Sequence, residues 1–180
     1  QAFGVAGGEV PDLDEPQRLA QLAACLAVLR AEGLVQAYHD RADGGLFVTL
    51  CEMAFAGRTG LDIDLPAAAD VYGALFAEEL GVVIQVRAAD AARVEALLGG
   101  HGAGGWSRRV GTVTAGSRIL IRRAGEALLD LDRMALHAQW SELSWRMQRL
   151  RDNPETADEA RSATLDAGDP GLSPLVAFDM

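Results

Sequence analysis

Two carboxylates, a histidine and two glycines stand together in His39-Asp40-Arg41-Ala42-Asp43-Gly44-Gly45-Leu46. Carboxylate oxygens are hard donors suited to a cation such as Mg²⁺. Backbone N–H groups at a helix start are unpaired and partly positive, which suits phosphate. The stretch lies where a short apolar strand, Leu34-Val35-Gln36-Ala37-Tyr38, hands over to a helix spanning roughly 45–57. Two readings of the spacing stand side by side. In one, Asp-Gly-Gly is ordinary turn chemistry and Asp43 is a helix N-cap. In the other, Asp40 serves a metal–phosphate role and Asp43 organises the loop. His39 reads as a hydrogen-bonded structural residue, because no partner nucleophile is visible.

The remaining polar candidates are weaker. Glu78-Glu79 fall near the C-terminus predicted for a helix over 70–80, where carboxylates are mildly unfavourable. They are solvated there, or they face a cation or a partner domain. His101 sits in the Gly-rich loop 99–105, which is no G-x-G-x-x-G after a strand, so a dinucleotide fingerprint is not supported. His137, Trp140 and Trp145 read as helix packing. Cys25 and Cys51 are isolated thiols in apolar helical stretches, read as small buried hydrophobes of a reduced protein, and no C-x-x-C is present. No Ser–His–Asp or Cys–His set can be assembled, so no catalytic residue is assigned. Every basic residue is Arg, which excludes a Walker or Schiff-base lysine.

Around these residues the pattern predicts alternating elements. A Gly-rich, then acidic loop covers 1–15. Pro16 opens an amphipathic helix with Leu19, Leu22, Leu26 and Leu29 on one face, and Gly33 stops it. Strands follow at 61–65 and 82–86, with a helix capped by Asp90 running to Leu98. Residues 106–113 and 118–122 read as antiparallel strands around a turn at 114–117, and 127–131 adds another. From Asp132 to Arg151 one long helix carries Leu136, Trp140, Leu143, Met147 and Leu150 in a seven-residue pattern, an apolar seam for its own sheet or another domain. Beyond it, acids and prolines over 152–180 read as a surface linker ending in an extended 175–178. The fold class is α/β (α+β): two layers, one mixed β-sheet with helices packed on one face.

A chain of 180 residues fits one domain with a tail. A formal charge of −10 argues against a nucleic-acid partner, which calls for clustered cations. No apolar run reaches the ~18 residues of a membrane helix, so no membrane partner is expected. The start, Gln1-Ala2-Phe3-Gly4, is neither an initiator Met nor a signal peptide, so the chain reads as a piece of something longer. The expected location is cytoplasmic.

Several runs together resemble large-type phosphoribosylformylglycinamidine synthase. They are Ala37 to Leu50, Ala54-Phe55-Ala56-Gly57, Leu75 to Val86, Trp145 to Pro154, and Asp169-Pro170-Gly171-Leu172. The resemblance implies that 16–151 is the second aminoimidazole-ribonucleotide-synthetase-like C-terminal domain, and that 152–180 leads to a glutaminase domain outside this chain. The family converts formylglycinamide ribonucleotide to formylglycinamidine ribonucleotide with ATP and glutamine, in purine synthesis. The resemblance further implies an auxiliary site holding Mg²⁺ and ADP. The family's motif reads His-Asp-x-Ser-Asp-Gly-Gly-Leu, so Asp40 carries over as an Mg²⁺ ligand. The nucleotide-contacting Ser falls at Ala42, where the hydroxyl is missing and a backbone contact survives. The other ligands and the glutaminase nucleophile are implied on other domains, and this chain alone is implied to be inactive. A purely structural or interaction domain with no ligand role is the alternative.

Overall fold

The computed structural model describes Leu13 and residues 15–169. The loop read over most of 1–15 and the extended 175–178 lie outside the described residues. Helix α1 (Pro16–Ala31) starts with Pro at its first turn. It ends in a Schellman motif: Leu34 N–H donates to Leu29 O at 3.0 Å and Gly33 N–H to Arg30 O at 3.0 Å. The inward line of α1 runs through Cys25 and Leu29, while Leu19 is exposed.

Strand β1 (Val35–Asp40) reaches two residues further than the apolar pattern, so His39 and Asp40 close a strand rather than open a loop. Helix α2 (Gly45–Gly57) follows and matches its expected span. Strand β2 (Gly60–Leu65) buries Leu61, Ile63 and Leu65. Helix α3 (Val71–Phe76) is shorter than expected: Asp70 caps its start at Tyr72 N and Gly73 N, but Ala77 is already extended. Strand β3 (Val82–Val86), a 3-10 turn at Ala88–Asp90 and helix α4 (Ala91–Gly100) complete the first half. Asp90 does not cap α4 through its side chain.

Strands β4 (Gly111–Thr114), β5 (Arg118–Arg123) and β6 (Glu126–Asp132) follow. The expected mixed α/β architecture is present, but the strands divide into two hydrogen-bonded sets. β1 and β3 form an antiparallel pair, and the other four lie in the order β4-β2-β5-β6. The strand expected over 106–113 forms only from Gly111, with no strand over 106–110, and β4 and β5 run antiparallel as predicted, yet they are not neighbours. β2 lies between them, antiparallel to β4 and parallel to β5. β2 carries three buried aliphatic residues, which favours a place covered on both edges. The 114–118 turn wraps its first residue: a Cβ on Gly60 would sit 2.4 Å from Thr114 Oγ1 and 2.6 Å from Arg118 O, so only glycine fits.

Leu61, Ile63, Leu65, Ile119 and Ile121 meet Leu46, Leu50, Ala54 and Phe55 of α2 in the larger core. The opposite face of β2 and β5 is polar, with Arg122 Nε 3.0 Å from Asp62 Oδ1. Helices therefore cover this sheet on one face. A second core joins Cys25, Leu29, Leu34 and Val94, with Val35, Ile84 and Val86 of the β1–β3 pair packed against it. Each core buries a cysteine, Cys25 in one and Cys51 in the other.

The long helix expected from Asp132 is two helices, α5 (Arg133–Trp140) and α6 (Glu142–Arg151). Ser141 stands at the break, and its hydroxyl donates to His137 O at 2.7 Å, a local bond that competes with regular helix geometry. Where a linker is expected, helix α7 (Pro154–Leu165) forms. Asn153 caps it by accepting from Glu155 N–H at 2.9 Å, and Pro154 takes a first-turn position. The acidic composition of this segment belongs to the outer surface of a packed helix, whose Ala157 is buried. Among the described residues no helix is long and apolar enough to cross a membrane.

Candidate functional site

The motif's backbone is knitted to the segment after α3. Gly45 has φ +67°, and a Cβ there would lie 2.7 Å from Leu75 O and 2.9 Å from Ala77 O, so the loop can approach α3 only through a glycine. Arg41 N–H donates to Gly81 O at 2.9 Å, and its Nη2 donates to Ala77 O at 2.6 Å. Arg41 Nε is buried without a hydrogen-bond partner. Burial lowers the pKa of this guanidinium, Glu79 opposes that shift, and Arg108 adds to it. These contacts also end α3 early: its last carbonyls face the motif instead of a further helical turn. Glu78 and Glu79 thus lie in a connecting segment rather than at a helix C-terminus.

Glu78 has a definite task. Its Oε1 accepts from Gly44 N–H at 2.9 Å, while Gly45 N–H goes to Ala42 O at 2.9 Å. Two of the N–H groups that a phosphate would meet at the start of α2 are therefore already taken, one by a carboxylate. Asp43 does not cap the helix. Gly44 is the N-cap, with φ 82°, and no side chain caps that end. Periodicity and composition gave no signal for the Glu78–Gly44 bond, because it spans 34 positions.

Asp40 lies on the exposed side of β1, next to Tyr38 in the alternation of the strand. Tyr38 Oη donates to Asp40 Oδ1 at 2.5 Å, and this bond, followed by burial, raises the tyrosine's pKa above its ordinary value. His39 points the other way. Its Nε2 is 3.0 Å from Glu52 Oε2 on α2, and its Nδ1 is 2.6 Å from Asp40 O. Trp140 Nε1–H of α5 donates to Glu52 Oε1 at 3.0 Å. The buried Thr49 donates to Gly45 O at 2.9 Å and stands 3.3 Å from Asp40 O. His39 is thus hydrogen-bonded, as expected, and Trp140 does more than pack.

A magnesium ion commonly takes one or two carboxylates and completes its shell with water and substrate phosphates. Asp40, exposed and acidic, fits as one such ligand. Among the described residues no group of three or more His, Cys, Asp or Glu side chains stands together as a metal site. A cation held by Asp40 would need its other ligands from elsewhere. Ala42 offers only backbone atoms.

Burial separates the two thiols from this chemistry. Cys51 lies in the larger core, and burial, with a contribution from Glu52, pushes its pKa up to about 12. Cys25 is raised by burial as well. Neither is poised as a thiolate nucleophile.

Comparison with known proteins places this geometry. Residues 2–122 match the family described as AIR synthase related protein, C-terminal domain. Among solved structures, T. maritima PurL complexed with ATP shares 17% identity over 72% of this chain and 24% of that one, at a TM-score of 0.61. T. maritima PurL complexed with FGAR shares 16% identity over 64% of this chain and 20% of that one, at a TM-score of 0.57. Phosphoribosylformylglycinamidine synthase II from Thermotoga maritima shares 16% identity over 68% of this chain and 22% of that one, at a TM-score of 0.60. These likenesses show a shared fold, and this chain spans less than a quarter of the length of each of the three.

Proposed function

The chain belongs to the AIR synthase related protein C-terminal domain family, and from that premise we propose that it is one domain of a phosphoribosylformylglycinamidine synthase of the large type. Such an enzyme is an ATP- and glutamine-dependent ligase that makes formylglycinamidine ribonucleotide from formylglycinamide ribonucleotide. The reading is supported by solved PurL structures that share the fold and are described as complexes with ATP, ADP and FGAR. The observation that carries it is the exposed Asp40 at the end of β1, held beside a glycine loop that is locked onto the segment 77–81.

In this role Asp40 supplies one carboxylate to a Mg²⁺–nucleotide complex, and the backbone at Ala42 borders the nucleotide. The bound ion would neutralise phosphate charge. This chain's own share is to hold the carboxylate and the loop in place. The remaining ligands, the substrate-activating groups and the glutaminase belong to other domains of the same polypeptide, which works in the cytoplasm. The 180-residue chain alone makes no product.

The test is Asp40→Ala in the full-length polypeptide, with retention of Mg²⁺–ADP read by calorimetry. Loss of retention supports the proposal. A second reading rests on a different observation: Gly44 and Gly45 spend their N–H groups on Glu78 and Ala42, so the loop is already satisfied as a turn. A domain that serves only for packing would retain nucleotide unchanged in Asp40→Ala.

A further inference from the structure

Asp40 is gripped twice. Its carboxylate accepts from Tyr38, and its backbone carbonyl faces the His39 ring at 2.6 Å. A carbonyl oxygen can only accept, so the Nδ1 of His39 carries the proton that it presents to Asp40. The other ring nitrogen faces Glu52 Oε2 at 3.0 Å, and the second oxygen of Glu52 takes the Trp140 indole N–H at 3.0 Å. Glu52 therefore takes the Trp140 N–H of α5 with one oxygen and faces His39 of β1 with the other, a hydrogen bond formed by the ring that carries a proton on both nitrogens. The His39 and Glu52 side chains keep only 31% and 26% exposure, so solvent weakens this pair less than an open surface pair.

We propose that Glu52 is a positioning residue for Asp40. It fixes the His39 ring, and the ring fixes the peptide that follows Asp40, so that the carboxylate is presented to the cation of a Mg²⁺–nucleotide complex in one orientation. Removing a group that orients a metal ligand from behind typically costs about 10- to 100-fold in metal affinity. Trp140 fixes Glu52 in turn, which ties α5, beyond the residues matched by the family, to the family's motif. This inference rests on the proposed nucleotide role of Asp40.

The experiment uses the full-length polypeptide for Mg²⁺–ADP affinity and this chain for ¹⁵N spectra of the histidine rings. Glu52→Ala weakens affinity about 10- to 100-fold and shifts the ring resonances of His39. Glu52→Gln, which keeps an acceptor oxygen, weakens affinity less than Glu52→Ala and keeps the unfolding midpoint of the parent. If Glu52→Ala binds within about twofold of the parent while Asp40→Ala loses nucleotide, the positioning role is overturned and the proposed function stands. If Asp40→Ala itself retains nucleotide, the proposed function falls and the inference with it. Equal losses in the Ala and Gln variants, accompanied by equal drops in unfolding midpoint, would reduce Glu52 to a structural residue and also overturn the inference.

Discussion

His137 lies against Phe55 with ring centroids 4.5 Å apart and nearly parallel planes, and its Nδ1 is buried without a hydrogen-bond partner. Burial holds its pKa below the ordinary 6.5, and Arg133, Arg58 and Arg161 push the same way. The folded state therefore resists the proton that the unfolded chain accepts near 6.5. The stabilisation is complete above that value and is lost as the pH falls through the lower folded pKa. Urea midpoints measured from pH 8 down to 5 should decline on the acid side, and His137→Gln should flatten that decline. At this scale the sequence was half informative. Local spacing singled out Asp40, and Ala42 entered only through the family resemblance. Glu52 carried no signal, and Glu78 was read only as solvated or as facing a cation or a partner domain, because their roles come from contacts across α2, α3 and β1 that no local pattern encodes.

The α6–α7 pair shows why one apolar pattern had two possible outcomes. Trp145 is enclosed by Arg161 at 4.2 Å and Arg149 at 5.4 Å from its ring, and its indole N–H donates to Asp158 at 2.9 Å. The seam, read as packing on its own sheet or on another domain, divides: Leu136 on α5 packs against the larger core, and its α6 members stay exposed. Leu143, Met147 and Leu150 are 69%, 61% and 89% exposed. The helix packs on α7 through Trp145, which lies off the seven-residue pattern. Trp145→Ala should cost about 2–3 kcal/mol, toward the low end for an aromatic truncation because the ring is only partly buried. Leu150→Gln should change stability by less than about 0.5 kcal/mol. Chemical denaturation of both variants checks the contrast. The helix α7 itself was written in Asn153-Pro154-Glu155, a cap followed by a first-turn proline, but the surrounding acids and prolines masked it. Elements with strong internal periodicity, such as α2, β2 and β3, came through with boundaries close to those observed.

Across the whole molecule, two cores meet at the motif. Val83 of β3 packs against the larger core, whereas its neighbours Ile84 and Val86 belong to the smaller one. β1 runs alongside β3, with His39 opposite Val83 and Asp40 opposite Val82. The motif therefore sits at the joint between two packed units, a placement that spacing could not reveal. The class and the one-sided helical cover were legible because alternation marks which strand faces are apolar. The division into two sheets and the strand order were not, since pairing partners are chosen by non-local packing.

The seat of β2 between β4 and β5 has a kinetic consequence. A turn such as 114–118 would ordinarily zip its flanking strands together within microseconds. Here it must close around Gly60, and β4 gains its sheet partner only when β2 has arrived from earlier in the chain, whereas β5 already pairs with β6 on its other edge. Chains that depend on such distant pairings fold slowly, because loop-closure entropy is lost before the contacts form. In pulse-labelled hydrogen exchange during refolding, the amides of β2 and β4 should gain protection together in one late phase, after those of α2 and of the β5–β6 hairpin. Protection of β4 ahead of β2 would show that a local β4–β5 hairpin forms first and is later pried apart.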